Sequence, residues 1–186
     1  SRMARGAQKL LDQYPCGLDN NAIRRRSTNK SRILKYFDAT GQEWNDWKWQ
    51  TRHIVRKAET LKSLMKLTDE EYEAVALARE NRIPFGITPY YLSLMDYQSD
   101  QKRDSAVRAQ VIPPLDYVKK LKEMREKHEL SMDFMLERDT SPIEGITRRY
   151  PMIVILKPIL TCPQICVYCQ RKWEIEDVYS PSAAIS

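Results

Sequence analysis

The sequence lacks the features of membrane-spanning, secreted and repetitive proteins. No apolar run approaches the ~20 residues that a transmembrane helix needs, and residues 1–6 do not lead into the apolar core of a signal peptide. Neither an internal repeat nor a low-complexity tract is present. The 186 residues, 42% hydrophobic and 30% charged, are enough for one domain with a real core. These features favour a soluble globular protein, and we expect it in the cytoplasm.

Acidic residues are outnumbered by basic ones, and the excess is concentrated near the start of the chain. The chain has 31 Lys and Arg against 25 Asp and Glu, a net charge of +6. Much of it lies in residues 23–32, IRRRSTNKSR, and a short basic run is more often a solvated arm than a reader of bases. We therefore interpret residues 1–43 as a basic N-terminal extension and expect no nucleic-acid partner. The alternative, nucleic-acid binding through residues 24–32, requires an affinity that falls steeply with salt.

Residues 44–140 carry the patterns of amphipathic helices and are interpreted as a helical region. Thr68 and Glu71 have the spacing of a capping box, which predicts a helix that begins there and ends near Asn81. The apolar spacing of residues 115–127 predicts a second strong helix.

Outside these two helices the predictions concern short fragments and single residues. Periodicity is weak before residue 44, and it predicts only helical fragments over residues 7–13 and 31–37. Tryptophans are more often packing anchors than ligand contacts, and we expect this of Trp44, Trp47 and Trp49. His53 and His128 lie in charged helical stretches, so we expect both to be solvated.

An apolar, β-branched stretch, MIVILKPIL, occupies residues 152–160. Such a run predicts a strand buried on both faces, as in a parallel sheet. Pro158 predicts that this strand frays near its end, because proline cannot donate to a ladder. The loop after a parallel strand is where (β/α) barrels carry their chemistry. We therefore expect residues 141–186 to form the beginning of an α/β unit.

Three of the four cysteines, Cys162, Cys166 and Cys169, lie in that loop in the order CPQICVYC. Three thiolates can bind three irons of a 4Fe–4S cube and leave the fourth iron open, whereas ferredoxin-type clusters use four cysteines. Zinc is the main competitor, but it takes a fourth ligand and usually two separated ligand pairs. A disulfide would leave one thiol over, and inert buried thiols are the remaining alternative. The spacing favours an iron–sulfur cluster.

The cysteine stretch resembles the CxxxCxΦC motif of radical S-adenosylmethionine enzymes, in which Φ is an aromatic residue. Tyr168 stands at the Φ position. Three further phrases are similar to the lysine 2,3-aminomutase family, and the likeness runs from about Trp44 to the end of the chain. They are WNDWKWQ at residues 44–50, ITPYYLSLM at residues 87–95 and SPIEGITRRYP at residues 141–151.

The resemblance implies cofactors and residues that bind them. Cys162, Cys166 and Cys169 would bind a 4Fe–4S cluster, and S-adenosylmethionine would bind the open iron with its adenine near Tyr168. The family also uses pyridoxal phosphate.

Two residues just before the predicted strand and one after the cysteines receive further roles from the resemblance. Arg149 and Tyr150 match residues that help to hold pyridoxal phosphate, although a basic residue found three positions later in the family is Ile153 here. Arg171 matches an arginine that pairs with the carboxylate of the amino-acid substrate. Where the family continues with further arginines, this chain has Lys172 and Trp173.

The fold implied by the resemblance is of the α/β class. A helical N-terminal region would be followed by the first strand and the cluster loop of a radical S-adenosylmethionine (β/α) barrel. Such a barrel needs at least ~200 residues by itself, so we interpret the chain as the truncated front part of a longer enzyme.

The implied reaction is that of an aminomutase, which shifts an amino group from the α to the β carbon of an amino acid. The expected partners are a small amino-acid substrate, an electron donor such as flavodoxin or ferredoxin, and a second copy in a homo-oligomer. Two alternatives remain open: a radical S-adenosylmethionine enzyme of another reaction type, and a cluster- or zinc-stabilised interaction module without catalysis.

Overall fold

The computed structural model describes residues 6–8, 16–98, 105–129, 131–169 and 171–175 of the protein. The helices are α1 (Asn20–Tyr36), α2 (Gly41–Trp44), α3 (Trp47–Arg52), α4 (Ala58–Leu64), α5 (Asp69–Glu80), α6 (Pro89–Leu94), α7 (Ser105–Ala109) and α8 (Leu115–Glu126). Two strands follow, β1 (Ile146–Tyr150) and β2 (Ile153–Leu156). The fragment predicted over residues 7–13 lies mostly outside the described residues. Among the helices described, none is long and apolar enough to cross a membrane.

Helix α1 packs into the helical core instead of extending from it. Ile33 is almost fully buried, and the buried Asn29 donates from its side-chain amide to the carbonyls of Ser93 (3.0 Å) and Met95 (2.6 Å). A buried amide with two acceptors fixes α1 against α6 and the residue after it. The helix is therefore longer than the fragment predicted over residues 31–37, because tertiary packing stabilises a sequence whose periodicity is weak.

Arginines of the basic run make specific contacts with the rest of the protein. The Arg25 guanidinium pairs with Asp96 at 2.8 Å, and the Arg32 guanidinium lies 4.1 Å from the centre of the Tyr97 ring. The prediction of a solvated arm is wrong for these two residues. The division of the chain into three segments stays a prediction.

The capping box at the start of α5 is confirmed. The Thr68 hydroxyl accepts from the Glu71 amide at 3.1 Å, and the Glu71 carboxylate accepts from the Thr68 amide at 2.9 Å. The helix ends with Asn81 as its C-cap, and the predicted helix over residues 115–127 is α8. The two helices pack together over a shared core of Ala74, Ala78, Ile83, Leu115, Val118 and Leu121.

The aromatic residues around α3 divide between core and solvent. Trp44 and Trp49 are buried as predicted, but Trp47 is 69% exposed. Trp47 and Trp49 are two positions apart on one helix and so cannot share a face. His53 stacks on Trp49 with ring centres 4.4 Å apart, and its Nδ1 lies 2.8 Å from the Trp49 carbonyl oxygen. The prediction that His53 is solvated is therefore wrong, whereas Trp47 lies outside the core and its alternative role as an interface anchor stays a prediction.

The strand predicted over residues 152–160 is shorter and pairs differently. Strand β2 covers Ile153–Leu156 and runs antiparallel to β1, with Ile146 opposite Leu156. Most of its apolar side chains are exposed, Leu156 by 73%. The prediction of a parallel strand buried on both faces is therefore wrong for this structure. The physical reason is a turn at residues 151–152, which folds β2 back onto β1 as a hairpin.

Candidate functional site

The cysteine loop is held against the helical region by a glutamine side chain. Oε1 of Gln164 accepts from the amide of Thr88 (3.0 Å) and from its hydroxyl (3.2 Å), and Nε2 donates to the Gly86 carbonyl at 3.2 Å. Thr88 is itself the N-cap of α6 and accepts from the Tyr91 amide. The loop is thereby tied to the start of a core helix.

Backbone contacts hold the loop at two further points. The amide of Ile165 donates to the Gly86 carbonyl at 3.1 Å, and the amide of the buried Val167 donates to the Gln110 carbonyl at 2.7 Å. A Cβ at Gly86 would lie 3.0 Å from a methyl group of Ile54 and 3.6 Å from Ile165. Glycine therefore permits the close approach of the loop at this position. Gln164, Ile165 and Val167 thus anchor the loop from positions between the cysteines.

All three cysteines are free thiols of intermediate exposure. The Cys169 amide donates to the Cys166 carbonyl at 3.3 Å, so the CVYC segment is a tight turn. Burial raises the pKa of the Cys169 thiol, and the nearby Cys166 and Cys162 raise it further, whereas the Arg171 backbone and its charge lower it. Cys162 and Cys166 are thus close enough to Cys169 to influence its ionisation, and metal binding would require that the thiols lose their protons.

The three cysteines do not form a preassembled site for a single metal ion. In the described part of the chain, no three His, Cys, Asp or Glu side chains converge on a point where they could hold one metal ion. The cysteines of a cube each bind a different iron, and the assignment of Cys162, Cys166 and Cys169 as cluster ligands stays a prediction.

Aromatic side chains surround the loop. Tyr168 is 72% exposed, so its ring is available to a ligand. Burial raises the pKa of Tyr117, with a smaller contribution from Tyr168, which places the two phenols near each other. Burial also raises the pKa of Tyr91, and the nearby Cys166 raises it by a smaller amount. The Tyr91 hydroxyl donates to the Val107 carbonyl at 3.2 Å.

Lys172 places a buried amine beside the same loop. Its Nζ lies 3.4 Å from the Tyr117 hydroxyl and 5.3 Å from the centre of the Tyr117 ring. Burial lowers the pKa of Lys172 to about 8, and the neighbouring Cys169 and Cys166 oppose that change. A positive charge here would offset the negative charge of ionised thiols.

Arg171, the predicted substrate residue, is engaged by the protein itself. Its Nε donates to Glu174 and its Nη2 donates to the Ile159 carbonyl, both at 2.6 Å. The other oxygen of Glu174 accepts from the buried Lys157 ammonium at 2.6 Å. Lys157 also lies 5.1 Å from the centre of the Trp173 ring. A substrate carboxylate would therefore have to compete with Glu174 for Arg171, and the substrate role of Arg171 stays a prediction.

Arg149 and Tyr150, the predicted phosphate-binding pair, lie at the end of β1. Arg148 is opposite Val154 and Tyr150 is opposite Ile153, so Arg149 is an extra residue, as in a β-bulge. A bulge changes the direction of neighbouring side chains, and the Arg149 guanidinium lies 5.8 Å from the centre of the Tyr150 ring. The two neighbouring side chains thus remain near each other, and their role in binding a phosphate group stays a prediction.

Several residues that build this site carry little signal in the sequence. Gln164 lies 76 positions from Thr88 and 78 from Gly86, and it meets them only through the fold. The one signal that could have marked Gln164 is its position inside the cysteine motif. Lys172 carried a signal in its closeness to Cys169, but its burial depends on Tyr117 of α8.

Replacing Gln164 with leucine is expected to loosen the cysteine loop. The change removes three hydrogen bonds and leaves the Thr88 amide without its acceptor, which costs about 1–3 kcal/mol. Urea unfolding should report that loss, and alkylation of the three cysteines should be faster in the variant. Gln42→Leu on the exposed face of α2 is the matched control. Equal stability and labelling in the two variants would contradict the anchoring role of Gln164.

Comparison with known proteins places the chain among aminomutase-related sequences. It is 44% identical over 178 residues to an uncharacterized KamA family protein of Methanocaldococcus jannaschii, a match that covers 91% of this chain and 29% of that protein. It is 38% identical over 140 residues to the L-lysine 2,3-aminomutase of Bacillus subtilis, covering 75% of this chain and 28% of the relative.

A third similar protein is named for a different amino acid. The glutamate 2,3-aminomutase of Clostridioides difficile is 30% identical over 158 residues, with 84% of this chain and 35% of that protein covered. No protein-family model matches the chain. The chain thus spans less than a third of the length of the first two relatives.

Proposed function

The chain is homologous to KamA-family and lysine 2,3-aminomutase proteins over most of its length, and from this we propose that it is part of a radical S-adenosylmethionine aminomutase. The observation that carries the proposal is the anchored loop with three free, partly exposed thiols. In such an isomerase the cluster supplies the electron that cleaves S-adenosylmethionine when both are bound.

Different residues of the loop would bind the cluster and S-adenosylmethionine. Cys162, Cys166 and Cys169 would hold the cluster, and the exposed ring of Tyr168 would pack against the adenine of S-adenosylmethionine. Lys172 would offset negative charge on the ionised thiols from its buried position beside Tyr117. The Gln164 anchor would keep the loop in place against the core.

We further propose that the protein binds pyridoxal phosphate and an amino-acid substrate. Arg149 and Tyr150 would bind the phosphate group, since a guanidinium and a phenol can both donate to its oxygens. Arg171 would bind the substrate carboxylate after exchanging its contact with Glu174. The reaction would move the amino group from the α to the β carbon, with an electron donor of the flavodoxin or ferredoxin type.

We also propose that a (β/α) barrel of the complete protein covers the exposed apolar residues around β2, which itself pairs antiparallel with β1. Contiguous exposed apolar residues mark a surface that is covered in the complete protein. Met152, Ile153, Val154, Leu156 and Ile159 provide such residues on and around β2. The greater length of the relatives leaves room for the elements that would cover them.

Anaerobic reconstitution of the full-length protein with iron and sulfide tests the proposed function. We expect a reduced cluster whose electron paramagnetic resonance signal changes when S-adenosylmethionine is added. Added pyridoxal phosphate is expected to give a visible absorption that borohydride bleaches. Tight, stoichiometric zinc binding without iron uptake would reject the radical mechanism, and an unchanged signal with S-adenosylmethionine would reject the open iron.

A further inference from the structure

Two lysines are buried in the described part of the chain, and they differ in the group that compensates their charge. Lys157 is 3% exposed, and its Nζ lies 2.6 Å from the Glu174 carboxylate. Lys172 is 5% exposed, but within the described residues it takes part in no ion pair. A buried ammonium is costly unless an opposite charge compensates it. Lys172 therefore needs a counter-charge that the described carboxylates do not supply.

The side chain that holds the Lys172 ammonium is a neutral phenol. The Lys172 Nζ lies 3.4 Å from the Tyr117 hydroxyl and 5.3 Å from the centre of the Tyr117 ring. A phenol oxygen and the face of an aromatic ring both attract a cation, although neither carries a formal charge. The Tyr117 ring is itself packed near Phe134, with ring centres 6.5 Å apart. Helix α8 thus fixes the position of the ammonium without neutralising it.

The cysteine loop is the other neighbour of Lys172. The Lys172 amide donates to the Cys169 carbonyl at 3.4 Å, so its backbone is joined directly to the last cysteine. Burial lowers the pKa of Lys172 to about 8, and the neighbouring Cys169 and Cys166 oppose that change. The ammonium therefore lies within electrostatic range of both cysteines. Negative charge on the cysteine loop would supply the counter-charge that Lys172 lacks.

We propose that Lys172 is the buried counter-charge of the 4Fe–4S cluster and that it raises the reduction potential of the cluster. Because Cys162, Cys166 and Cys169 must hold the cluster, this role of Lys172 rests on the proposed function. Reduction adds one electron from the flavodoxin- or ferredoxin-type donor, and Lys172 keeps its proton. The negative charge beside the ammonium thus grows by one, and a fixed positive charge stabilises the more negative form. Local charge and solvent exposure are among the factors that set cluster potentials.

The variant Lys172→Met tests the proposal in the full-length protein after anaerobic reconstitution. Loss of the positive charge should make the midpoint potential more negative. At a fixed potential the ratio of reduced to oxidised cluster should fall about 10-fold, which is about 59 mV for a one-electron couple. Redox titration followed by electron paramagnetic resonance measures the shift. Lys172→Arg keeps the charge and should keep the potential, and the matched control Lys120→Met removes an exposed lysine of α8 and should leave it unchanged.

Urea unfolding of the protein before reconstitution gives a second readout. Lys172→Met removes a buried charge without a carboxylate partner, so it should not lower the urea midpoint. A lower midpoint would show that the fold itself requires the ammonium, and it would overturn the assignment of its charge to the cluster.

Two outcomes of the redox titration would also overturn this role of Lys172. One is an unchanged potential in a Lys172→Met protein with full iron and sulfide content. The other is an equal shift in Lys172→Met and Lys172→Arg, which would assign the effect to packing and not to charge. Failure of the unaltered protein to assemble a cluster would instead reject the proposed function itself, so the two failures are distinguishable.

Discussion

Replacing any one of Cys162, Cys166 and Cys169 with alanine is expected to abolish assembly of an intact cluster and all activity that depends on it. Each cysteine would supply the sole protein ligand to one iron, so that the loss of one cysteine leaves that iron without a protein ligand. Folding should survive, because the cysteines are only partly buried. Iron and sulfide content after anaerobic reconstitution measures the effect.

Cys16→Ala is the matched control for these variants. Cys16 is exposed before α1, and its sulfur accepts only a local hydrogen bond from the Leu18 amide at 3.4 Å. The control should therefore take up as much iron and sulfide as the unaltered protein. Full iron uptake by a Cys166→Ala protein would exclude the three-cysteine cluster, whatever the activity of that variant.

Glu174→Ala is expected to lower the free energy of unfolding by about 3–5 kcal/mol. The Glu174 carboxylate bridges Arg171 and Lys157, and the Lys157 side chain is only 3% exposed. Removing the carboxylate leaves a buried ammonium without its counter-charge, which is costly because the low dielectric of the interior does not solvate it. Urea or thermal unfolding of the purified variant measures the loss.

The chain offers a matched exposed pair for comparison. Glu126 lies 3.8 Å from Lys122 on α8 with both side chains largely in solvent, so Glu126→Ala should cost at most about 1 kcal/mol. The double variant Lys157→Met with Glu174→Leu should recover most of the lost stability, because it leaves no unpaired buried charge. A Glu174→Ala protein as stable as Glu126→Ala would show that the ion pair has no structural role.

Removal of Glu174 also bears on the predicted substrate contact. The carboxylate holds the Arg171 guanidinium, so its absence should free that group for another anion. Glu174 lies three residues from Arg171, so the sequence alone places this carboxylate near the arginine. The sequence does not show that Lys157, which precedes the cysteine motif, binds the same carboxylate.

Local patterns predicted the helices well where one face of the sequence is apolar. The Thr68 and Glu71 capping box and the apolar spacing of α8 depend only on neighbours within a few residues, and both predictions are confirmed. Helix α1 was under-predicted because its stability comes from contacts such as that of Asn29 with the end of α6. The β2 prediction failed because hydrophobicity does not specify the strand that pairs with β2, and the hairpin with β1 leaves most of its apolar side chains exposed.

The sequence by itself determined the chemistry that this protein can present: three thiols at fixed spacing, an aromatic residue before the last of them, and arginines on either side. These are covalent facts of residue type and order. Only the tertiary structure decided which groups meet, because contacts such as Gln164 with Thr88, or Lys172 with Tyr117, join residues more than fifty positions apart. Burial and low dielectric then set the charge state and the partners of each group, and they are properties of the packed fold.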